Sequence, residues 1–450
     1  MDFLWNRFLS FEERNALFDV KDKNGVYVWD IVRFYVYIDL LWSNNPSTAK
    51  KMPFPKRIIR LLKVLAFYFR SLFVKGNYLF FLASRNKLGN TFVDKNAYNV
   101  LQNIAANEIL AIESYEESFA STNGCKCKLL LPLLPFHSIS RLVVNRNFDF
   151  EPILSQIKTE FPDCQLDARY LNTLYQIFYV QRGIYRFLLR KWKVKRVFLT
   201  QNEIQKALIA ACKDLHIPIY EFQHGIVDQG HLAYSYPNTN LNNVYLPDKI
   251  MSLSNFWFKD CIMPKCDIVP LGNDYFLPSR KENNIGERKG KILVVSADVF
   301  GRELAAFVQE CAERDFFKNY TFYFKLHPNQ FSEYDYYLNI FKDKGRIFVY
   351  RNEKDIPTLV SETEVMLTIQ STALYEGLQK GIVACILKRS SYMRQAHVFN
   401  LPNVFLIDNV SDFEKAVQTS KSLKEEALND IPHFFEPFNA DLFRKKILNE

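Results

Sequence analysis

Histidine and hydroxyl side chains follow two apolar, strand-like runs in the C-terminal half of the chain. His327 comes directly after FYFKL, in the sequence Lys325-Leu326-His327-Pro328. An imidazole held at a strand end can donate to a phosphate oxygen or protonate a leaving group. A histidine that only stabilises a strand-to-helix turn has the same sequence, but the position after a strand favours a functional role for His327.

The second stretch is Gln370-Ser371-Thr372, which lies between the run VMLTI and a predicted helix. We expect Ser371 or Thr372 to cap that helix, whose free N–H groups and dipole form an anion site. Glu376 lies about one turn further along, within reach of a ribose. A plain helix cap with a surface glutamate is the simpler interpretation, but His327 beside it favours a nucleotide phosphate site.

A third stretch, Glu221-Phe222-Gln223-His224-Gly225, follows a predicted strand in the first half. We predict that His224 is the base that activates an acceptor hydroxyl, with Glu221 as the alternative base. Gln223, Gly225 and Arg85, which follows an earlier strand, are expected to bind the acceptor. Asp228 and His231 come shortly afterwards, but their spacing matches no standard metal-ligand pattern.

The glycine content excludes several nucleotide-binding motifs. The chain of 450 residues has only 14 glycines, and no two of them form a Gly-x-Gly pair. The dinucleotide fingerprint, the kinase Gly-rich loop and the P-loop all need closely spaced glycines near phosphate, so they are excluded. There is no Asp-x-Asp triplet either. We therefore expect no cofactor and no metal, and phosphate binding by helix ends and side chains.

The elements that must position these residues alternate between strand and helix in both halves of the chain. Such alternation is typical of parallel sheets covered on both faces, with ligands beyond the carboxyl ends of the strands. We predict an α/β protein with two Rossmann-like domains facing a cleft and an N-terminal helical segment. The expected boundaries are 1–76 for the helical segment, 77–277 for the acceptor domain, 278–290 for a linker and 291–450 for the donor domain. Residues 97–190 are expected to be mostly helical.

The positive charge is concentrated in one segment. The formal net charge is +9, and between Leu40 and Val93 there are ten Lys or Arg and no acidic residue. Lys56–Lys75 is predicted as an amphipathic helix, because apolar residues recur there at three- and four-residue spacing. The apolar residues are Ile58, Leu61, Leu62, Leu65, Phe69 and Leu72, and the basic ones on the other side are Lys56, Arg60, Lys63 and Arg70.

Two interpretations of this helix are open. A basic amphipathic helix with aromatic residues is typical of an anchor on an anionic membrane surface. A helix packed on its own domain, with a solvated basic face, fits the pattern equally well. Nucleic acid is not expected as a partner, because the rest of the chain carries no recognition motif. No apolar run is long enough to span a bilayer and no signal peptide is recognised, so we expect a cytoplasmic protein.

Three motifs together resemble the GT-B glycosyltransferases of bacterial surface-polysaccharide synthesis. They are Gln-His-Gly at 223–225, Lys-Leu-His-Pro at 325–328 and Ser-Thr-Ala-Leu-Tyr-Glu-Gly-Leu at 371–378. The similar types are capsule-synthesis enzymes, bacterial polysialyltransferases and the polyol-phosphate transferases of teichoic acid synthesis. The resemblance covers about 217–272 and 288–390. The chain lacks the Asp/Glu-Asp/Glu-Gly motif of the sialyltransferases, which argues against a sialic acid donor.

The resemblance implies specific roles for the candidate residues. Six residues would contact the phosphate and ribose of a CMP- or UDP-type donor: Lys325, His327, Gln370, Ser371, Thr372 and Glu376. The expected reaction is metal-independent transfer of a sugar to a hydroxyl of a growing surface glycan or lipid-linked glycan, on the inner face of the plasma membrane. A nucleotide-sugar epimerase of the same architecture and a non-catalytic polysaccharide-assembly component are the alternatives.

Overall fold

The computed structural model describes most of the chain. The described residues are 4–42, 62, 65–66, 69–88, 91–114, 127–130, 146–277, 288–297, 300–390, 392–420 and 431–449. Of the predicted linker at 278–290, only 288–290 lies within these ranges. Half of the predicted basic helix, including Lys56, Arg60 and Lys63, also lies outside the described residues.

The described residues form two compact units. The first consists of those within Met1–Ser252, Phe258–Tyr275 and Phe438–Glu450. The second consists of those within Leu253–Trp257 and Phe276–Pro437. The chain therefore leaves the first unit briefly at 253–257 and returns to it at its C-terminal end.

The first unit contains a seven-stranded parallel sheet in the order β5-β4-β1-β6-β7-β8-β9 and an antiparallel pair, β2 and β3. Its strands are β1 Tyr78–Leu82, β2 Asn86–Leu88, β3 Thr91–Val93, β4 Ile109–Glu113, β5 Cys127–Leu130, β6 Arg196–Leu199, β7 Ile219–Phe222, β8 Lys249–Ser252 and β9 Asp267–Pro270. Its helices before the second unit are α1 Leu4–Arg14, α2 Trp29–Trp42, α3 Tyr98–Gln102, α4 Glu151–Glu160, α5 Ala168–Trp192 and α6 Lys206–Asp214. A further short helix, Ala440–Phe443, follows the second unit and continues into a π-helical turn, Arg444–Leu448.

Apolar side chains cover both faces of this sheet. Leu79 and Leu199 belong to a buried cluster on one face, together with Trp192 of α5. Phe80 and Phe198 belong to the cluster on the other face, and their rings stack with centroids 4.4 Å apart. Continuous apolar runs such as YLFFL form central parallel strands because both of their faces are buried.

The second unit contains a six-stranded parallel sheet in the order β12-β11-β10-β13-β14-β15. Its strands are β10 Lys291–Val295, β11 Thr321–Lys325, β12 Ile347–Tyr350, β13 Val365–Thr368, β14 Val383–Leu387 and β15 Val404–Ile407. Its helices are α7 Gly301–Glu313, α8 Tyr334–Phe341, α9 Ile356–Glu362, α10 Ala373–Gln379 and α11 Val410–Ser420. Asp355 begins α9 by accepting a 2.9 Å hydrogen bond from the Thr358 N–H, a usual N-cap contact.

The predicted fold class is confirmed: the protein is α/β, with two Rossmann-like parallel sheets and helices at its N-terminal end. The expectation that 97–190 is mostly helical was wrong for β4 and β5, which lie inside that range. Both are short strands that lie on the opposite side of β1 from β6. The sequence around them has no alternating strand and helix pattern that would have predicted them. No helix in the described ranges is both long and apolar enough to cross a bilayer.

Candidate active site

In each sheet the order of the strands reverses at one point. The candidate residues follow strands that lie near this point. In the first unit the chain goes from β1 outward through β4 to β5, and then returns to the other side of β1 with β6. In the second unit β10 lies in the same way between β11 and β13. Both sheets therefore contain the order 3-2-1-4-5-6, in which ligands bind beyond the carboxyl ends at the reversal.

Glu221 is the last but one residue of β7, and its carboxylate is fully buried. The Tyr234 hydroxyl donates to Oε1 at 2.8 Å, and the Asn202 backbone N–H donates to the same oxygen at 3.1 Å. The Asn202 side-chain amide donates to Oε2 at 2.8 Å. Burial, together with the nearby Glu203, raises the pKa of Glu221 to about 7. This carboxyl group therefore exchanges its proton near neutral pH.

His224 extends this network towards the surface. Its Nδ1 lies 3.4 Å from the Tyr234 hydroxyl, and the side chain is partly exposed. Because the Tyr234 hydroxyl gives its proton to Glu221, its oxygen accepts from His224 Nδ1–H. This tautomer leaves a lone pair on Nε2, which has no hydrogen-bond partner among the described residues. Burial and the positive charge of Lys95 lower the pKa of His224 to about 4, so the ring is neutral at physiological pH.

The N-terminal helices hold both partners of Glu221 in place. Arg33 of α2 is buried and donates to the carbonyls of Leu232 at 2.7 Å and Ser235 at 3.1 Å, on either side of Tyr234. Its charge is balanced by the buried carboxylate of Glu12, with Nε and Oε1 2.7 Å apart. A buried ion pair of this kind needs such additional hydrogen bonds to compensate for lost hydration.

A second charged residue of α2, Asp30, holds Asn202 in place through Lys206. The Lys206 ammonium lies 3.3 Å from the Asp30 carboxylate and donates to Asn202 Oδ1 at 3.3 Å. Burial lowers the pKa of Lys206, and the charge of Asp30 opposes this effect. The pair Asp30–Lys206 thus orients the amide that binds Glu221 Oε2.

The other acceptor-side candidates follow β7 or β1 of the same sheet. Gln223 is buried, and its amide donates to the Gly225 carbonyl at 3.0 Å, which fixes the turn that carries His224. A Cβ at Gly225 would meet no atom of the described chain within 4 Å. Arg85 is exposed and follows β1, which is separated from β7 by β6 alone. Acceptor binding by these three residues stays a prediction.

His327 of the second unit is held in the opposite tautomer. It begins the 3-10 helix Pro328–Glu333, and its Nδ1 accepts the Asn329 backbone N–H at 3.3 Å. The neutral ring therefore carries its proton on Nε2 and is a hydrogen-bond donor there. Its own backbone N–H donates to Gln330 Oε1 at 3.1 Å.

Gln330 connects this turn to the loop after β10. Its Oε1 also accepts from the Ser296 hydroxyl at 2.6 Å, and its amide donates to the Ala297 carbonyl at 3.2 Å. A Cβ on Gly301 would lie 2.1 Å from the Gln330 amide nitrogen, so a larger residue at the start of α7 would displace the Gln330 side chain. The loops after β10 and β11 are therefore fixed to each other.

The hydroxyl motif lies at the same edge of this sheet. Thr372 is the N-cap residue of α10, but its side chain makes no capping bond; the Ser371 hydroxyl, one residue earlier, accepts the Ala373 N–H at 3.2 Å. His327 and Ser371 follow strands separated only by β10, about two strand spacings or roughly 10 Å. Gln370 and Glu376 flank the motif, and both are partly exposed.

Lys325 has a structural task in the folded chain. Its ammonium donates to the backbone carbonyls of Arg351 and Lys354, which follow β12. Burial lowers its pKa, and the charges of Glu353 and Asp355 oppose this effect. Lys325 thus connects β11 to the loop between β12 and α9, and its contact with a donor phosphate stays a prediction.

Sequence reasoning missed part of the network. Asn202 and Glu203 come three and four residues after the end of β6, at the reversal of strand order, and Glu203 is buried with no hydrogen bond to Oε2 from any described residue. A search for polar residues just beyond the carboxyl end of β6 would have identified both. The roles of Asp30 and Arg33 had no signal in the sequence. Within the described part of the chain, no group of three His, Cys, Asp or Glu residues is arranged to hold a metal ion.

No protein-family model matches the chain, and no curated protein matches it. Solved structures do. The UDP-GlcNAc 2-epimerase from Neisseria meningitidis, bound to UDP-GlcNAc, has a TM-score of 0.50 and 11% identity, over 83% of this chain and 100% of that one. At this identity the likeness shows the fold alone, which is of the GT-B type.

Two further solved structures are similar with TM-scores below 0.5. They are a UDP-GlcNAc 2-epimerase from Methanocaldococcus jannaschii in complex with UDP-GlcNAc and UDP (TM-score 0.49, 13% identity, 83% of this chain and 99% of that one) and a glycosyltransferase from Rickettsia africae (TM-score 0.46, 12% identity, 83% and 97%). None of the three is described as a capsule-synthesis enzyme or a polysialyltransferase, so that part of the resemblance stays a prediction.

The buried Glu221 carboxyl predicts a pH-dependent stability. The folded protein holds this proton more tightly than the unfolded chain, whose ordinary pKa is 4.5, so stability is complete below pH 4.5 and lost as the pH rises through about 7. We expect the wild type to lose about 3 kcal/mol of unfolding free energy across this window, relative to Glu221→Gln. Urea denaturation at a series of pH values measures the difference. The exposed Glu151→Gln is the control, and parallel curves for wild type and Glu221→Gln would contradict the prediction.

Proposed function

We propose that this protein is a glycosyltransferase that moves a sugar from a nucleotide-activated donor to a hydroxyl of a glycan or lipid-linked glycan. The observation that carries the proposal is the chain of hydrogen bonds from His224 through Tyr234 to Glu221. It connects the Nε2 lone pair of a half-buried imidazole with a buried carboxyl group whose pKa is about 7. A hydroxyl acceptor needs such a base, and a donor phosphate does not.

The proton of the acceptor hydroxyl would move along this chain. His224 Nε2 takes it, Nδ1 gives its own proton to the Tyr234 oxygen, and Tyr234 gives its proton to Glu221. The pKa of His224 is about 4 and that of Glu221 about 7, so the proton is more stable on the carboxyl group than on the imidazole. The acceptor oxygen forms the new bond to the anomeric carbon, and the bond from that carbon to the donor phosphate breaks.

The second unit would bind the leaving nucleotide. The Nε2–H of His327 is a donor for a phosphate oxygen that gains charge as the glycosidic bond breaks, a form of stabilisation often large in enzymes. Ser371 and Thr372 add hydroxyl groups at the same sheet edge, and Glu376 is proposed as the ribose contact. These roles follow from residue chemistry and from the position of both turns beyond the carboxyl ends of β11 and β13.

A nucleotide-sugar epimerase is the second candidate. Its support is the pair of buried carboxyl groups, Glu203 and Glu221, because inversion at carbon needs one group to remove a proton and another to return it. Burial raises the pKa of both groups. The N. meningitidis structure with the same type of fold is such an epimerase.

Donor turnover with and without an acceptor separates the two candidates. We expect UDP- or CMP-sugars to release free nucleotide only when a glycan acceptor is present, measured by chromatography of the nucleotide products. Conversion of a UDP-sugar to its epimer without acceptor would establish the epimerase instead. A donor panel that neither turns over nor raises the melting temperature would remove both enzymatic functions, since binding at 100 times Kd stabilises by about 2.7 kcal/mol.

The proton chain predicts a specific pH–rate profile. We expect kcat/KM of the wild type to fall as the pH drops through about 7, because protonated Glu221 accepts no further proton. Tyr234→Phe interrupts the chain, so this inflection should disappear and kcat should fall by about 10²–10⁴-fold. The exposed His433→Ala is the control and should keep the wild-type profile. An unchanged inflection in Tyr234→Phe would exclude the chain.

His327 allows a matched pair of substitutions. In His327→Gln the amide N–H lies near the position of Nε2, whereas in His327→Asn it lies near Nδ1. If Nε2–H contacts developing phosphate charge, we expect kcat of His327→Asn to fall by about 10²–10³-fold and that of His327→Gln by clearly less. Steady-state kinetics with a fixed acceptor measures both. Equal losses would assign His327 to the turn rather than to the donor.

A further inference from the structure

A row of apolar side chains is exposed on the first unit, between Leu62 and Phe73. The exposed fractions are 59% for Leu62, 57% for Leu65, 67% for Phe69, 45% for Leu72 and 74% for Phe73. Leu62, Leu65 and Phe69 are helical and follow one another at three- and four-residue spacing, so they share one face. This is the face that a helix packed on its own domain would bury.

The end of this segment is nevertheless firmly attached. Ser71 is buried, and its carbonyl accepts a 2.8 Å hydrogen bond from the indole N–H of Trp192, the last residue of α5. The Gly76 N–H donates to the Trp192 carbonyl at 3.1 Å. Phe69 and Phe73 are therefore exposed although the segment that carries them is attached to α5 by hydrogen bonds.

The last turns of α5 also expose aromatic and basic side chains. A groove of about 440 Å³ is lined, among the described residues, by Gly183, Arg186, Phe187, Arg190 and Lys191. Phe187 is 56% exposed, and Arg190 and Lys191 are exposed beside it. Lys75, Arg190 and Lys191 form no ion pair with any residue in the described ranges. We call the exposed side chains of Leu62, Leu65, Phe69, Leu72 and Phe73, together with those of Lys75, Phe187, Arg190 and Lys191, the basic–aromatic surface.

We propose that the basic–aromatic surface docks the protein on an anionic lipid bilayer, with its Leu and Phe side chains in the interfacial region and its Lys and Arg at the headgroups. Charge favours this occupant, because the sequence from Leu40 to Val93 has ten basic residues and no acidic one. Protein interfaces are depleted in Lys, whereas interfacial helices combine Lys and Arg with Leu and Phe. Nucleic acid is a poorer fit, because interfacial membrane helices insert aliphatic side chains such as Leu62, Leu65 and Leu72, and base stacking does not use them.

Vesicle sedimentation tests this proposal without donor or acceptor, so its outcome is independent of the proposed function. The full-length protein is mixed with vesicles of phosphatidylcholine alone, or of equal parts phosphatidylcholine and phosphatidylglycerol. We expect binding to the anionic vesicles, weaker binding at high salt, and at least about tenfold weaker partitioning to phosphatidylcholine alone. Absence of binding to the anionic vesicles would overturn the proposal.

Two variants separate the apolar and charged contributions. Phe69→Ser with Phe73→Ser removes exposed rings, and Lys75→Glu with Arg190→Glu and Lys191→Glu reverses charge outside the core. We expect each to weaken partitioning at least about tenfold, with unchanged circular dichroism. The control, Leu338→Ser with Phe348→Ser, removes exposed apolar side chains of the second unit and should bind as the wild type does.

Other partners of the basic–aromatic surface would give different experimental results. A protein that does not bind vesicles but dimerises in solution through Phe69 and Phe73 would assign the surface to a second copy of the chain. Wild-type partitioning in the Phe69→Ser, Phe73→Ser variant would show that the apolar row does not touch the bilayer. Either result contradicts bilayer docking.

Discussion

A carboxylate removed from water must be surrounded by fixed donors, and the candidate site of this protein is built on that requirement at Glu221. Three hydrogen bonds reach its oxygens from Tyr234 and Asn202. Each of these donors is held in turn by a charged residue of α2, Arg33 for the Tyr234 loop and Asp30, through Lys206, for Asn202. The N-terminal helices are therefore part of the site, although about 190 residues separate Asp30 and Arg33 from Glu221 in the chain.

The two candidate histidines differ in which ring nitrogen carries the proton, because their surroundings favour different tautomers. His224 gives Nδ1–H to Tyr234, so Nε2 is a base, whereas His327 accepts a backbone N–H at Nδ1, so Nε2 is a donor. Proton removal from a hydroxyl and stabilisation of a phosphate need these two opposite forms. The local hydrogen bonds, and not the residue type, make one histidine suited to the acceptor and the other to the donor.

The two sheets share the strand order 3-2-1-4-5-6, and a fold of the GT-B type does not by itself define a reaction. The two candidate reactions differ in whether the base removes a proton from a carbon of the donor or from a separate hydroxyl. Glu203 and the chain from His224 to Glu221 are for this reason more informative about the reaction than the architecture is.

The sequence by itself determined the class of fold and most of the strands, because buried parallel strands need continuous apolar runs such as ILVVS, VMLTI and IVACIL, and such runs are local. It also placed His224, His327 and Ser371 after strands, which is where parallel sheets carry their ligands. The strands β4 and β5 and the contributions of Asp30 and Arg33 were decided only by the tertiary structure. So was the exposure of Phe69 and Phe73, since a helical apolar row has the same spacing whether it is packed or exposed. Burial, tautomer and ion pairing depend on which residues far apart in the chain become neighbours, and a linear pattern does not contain those distances.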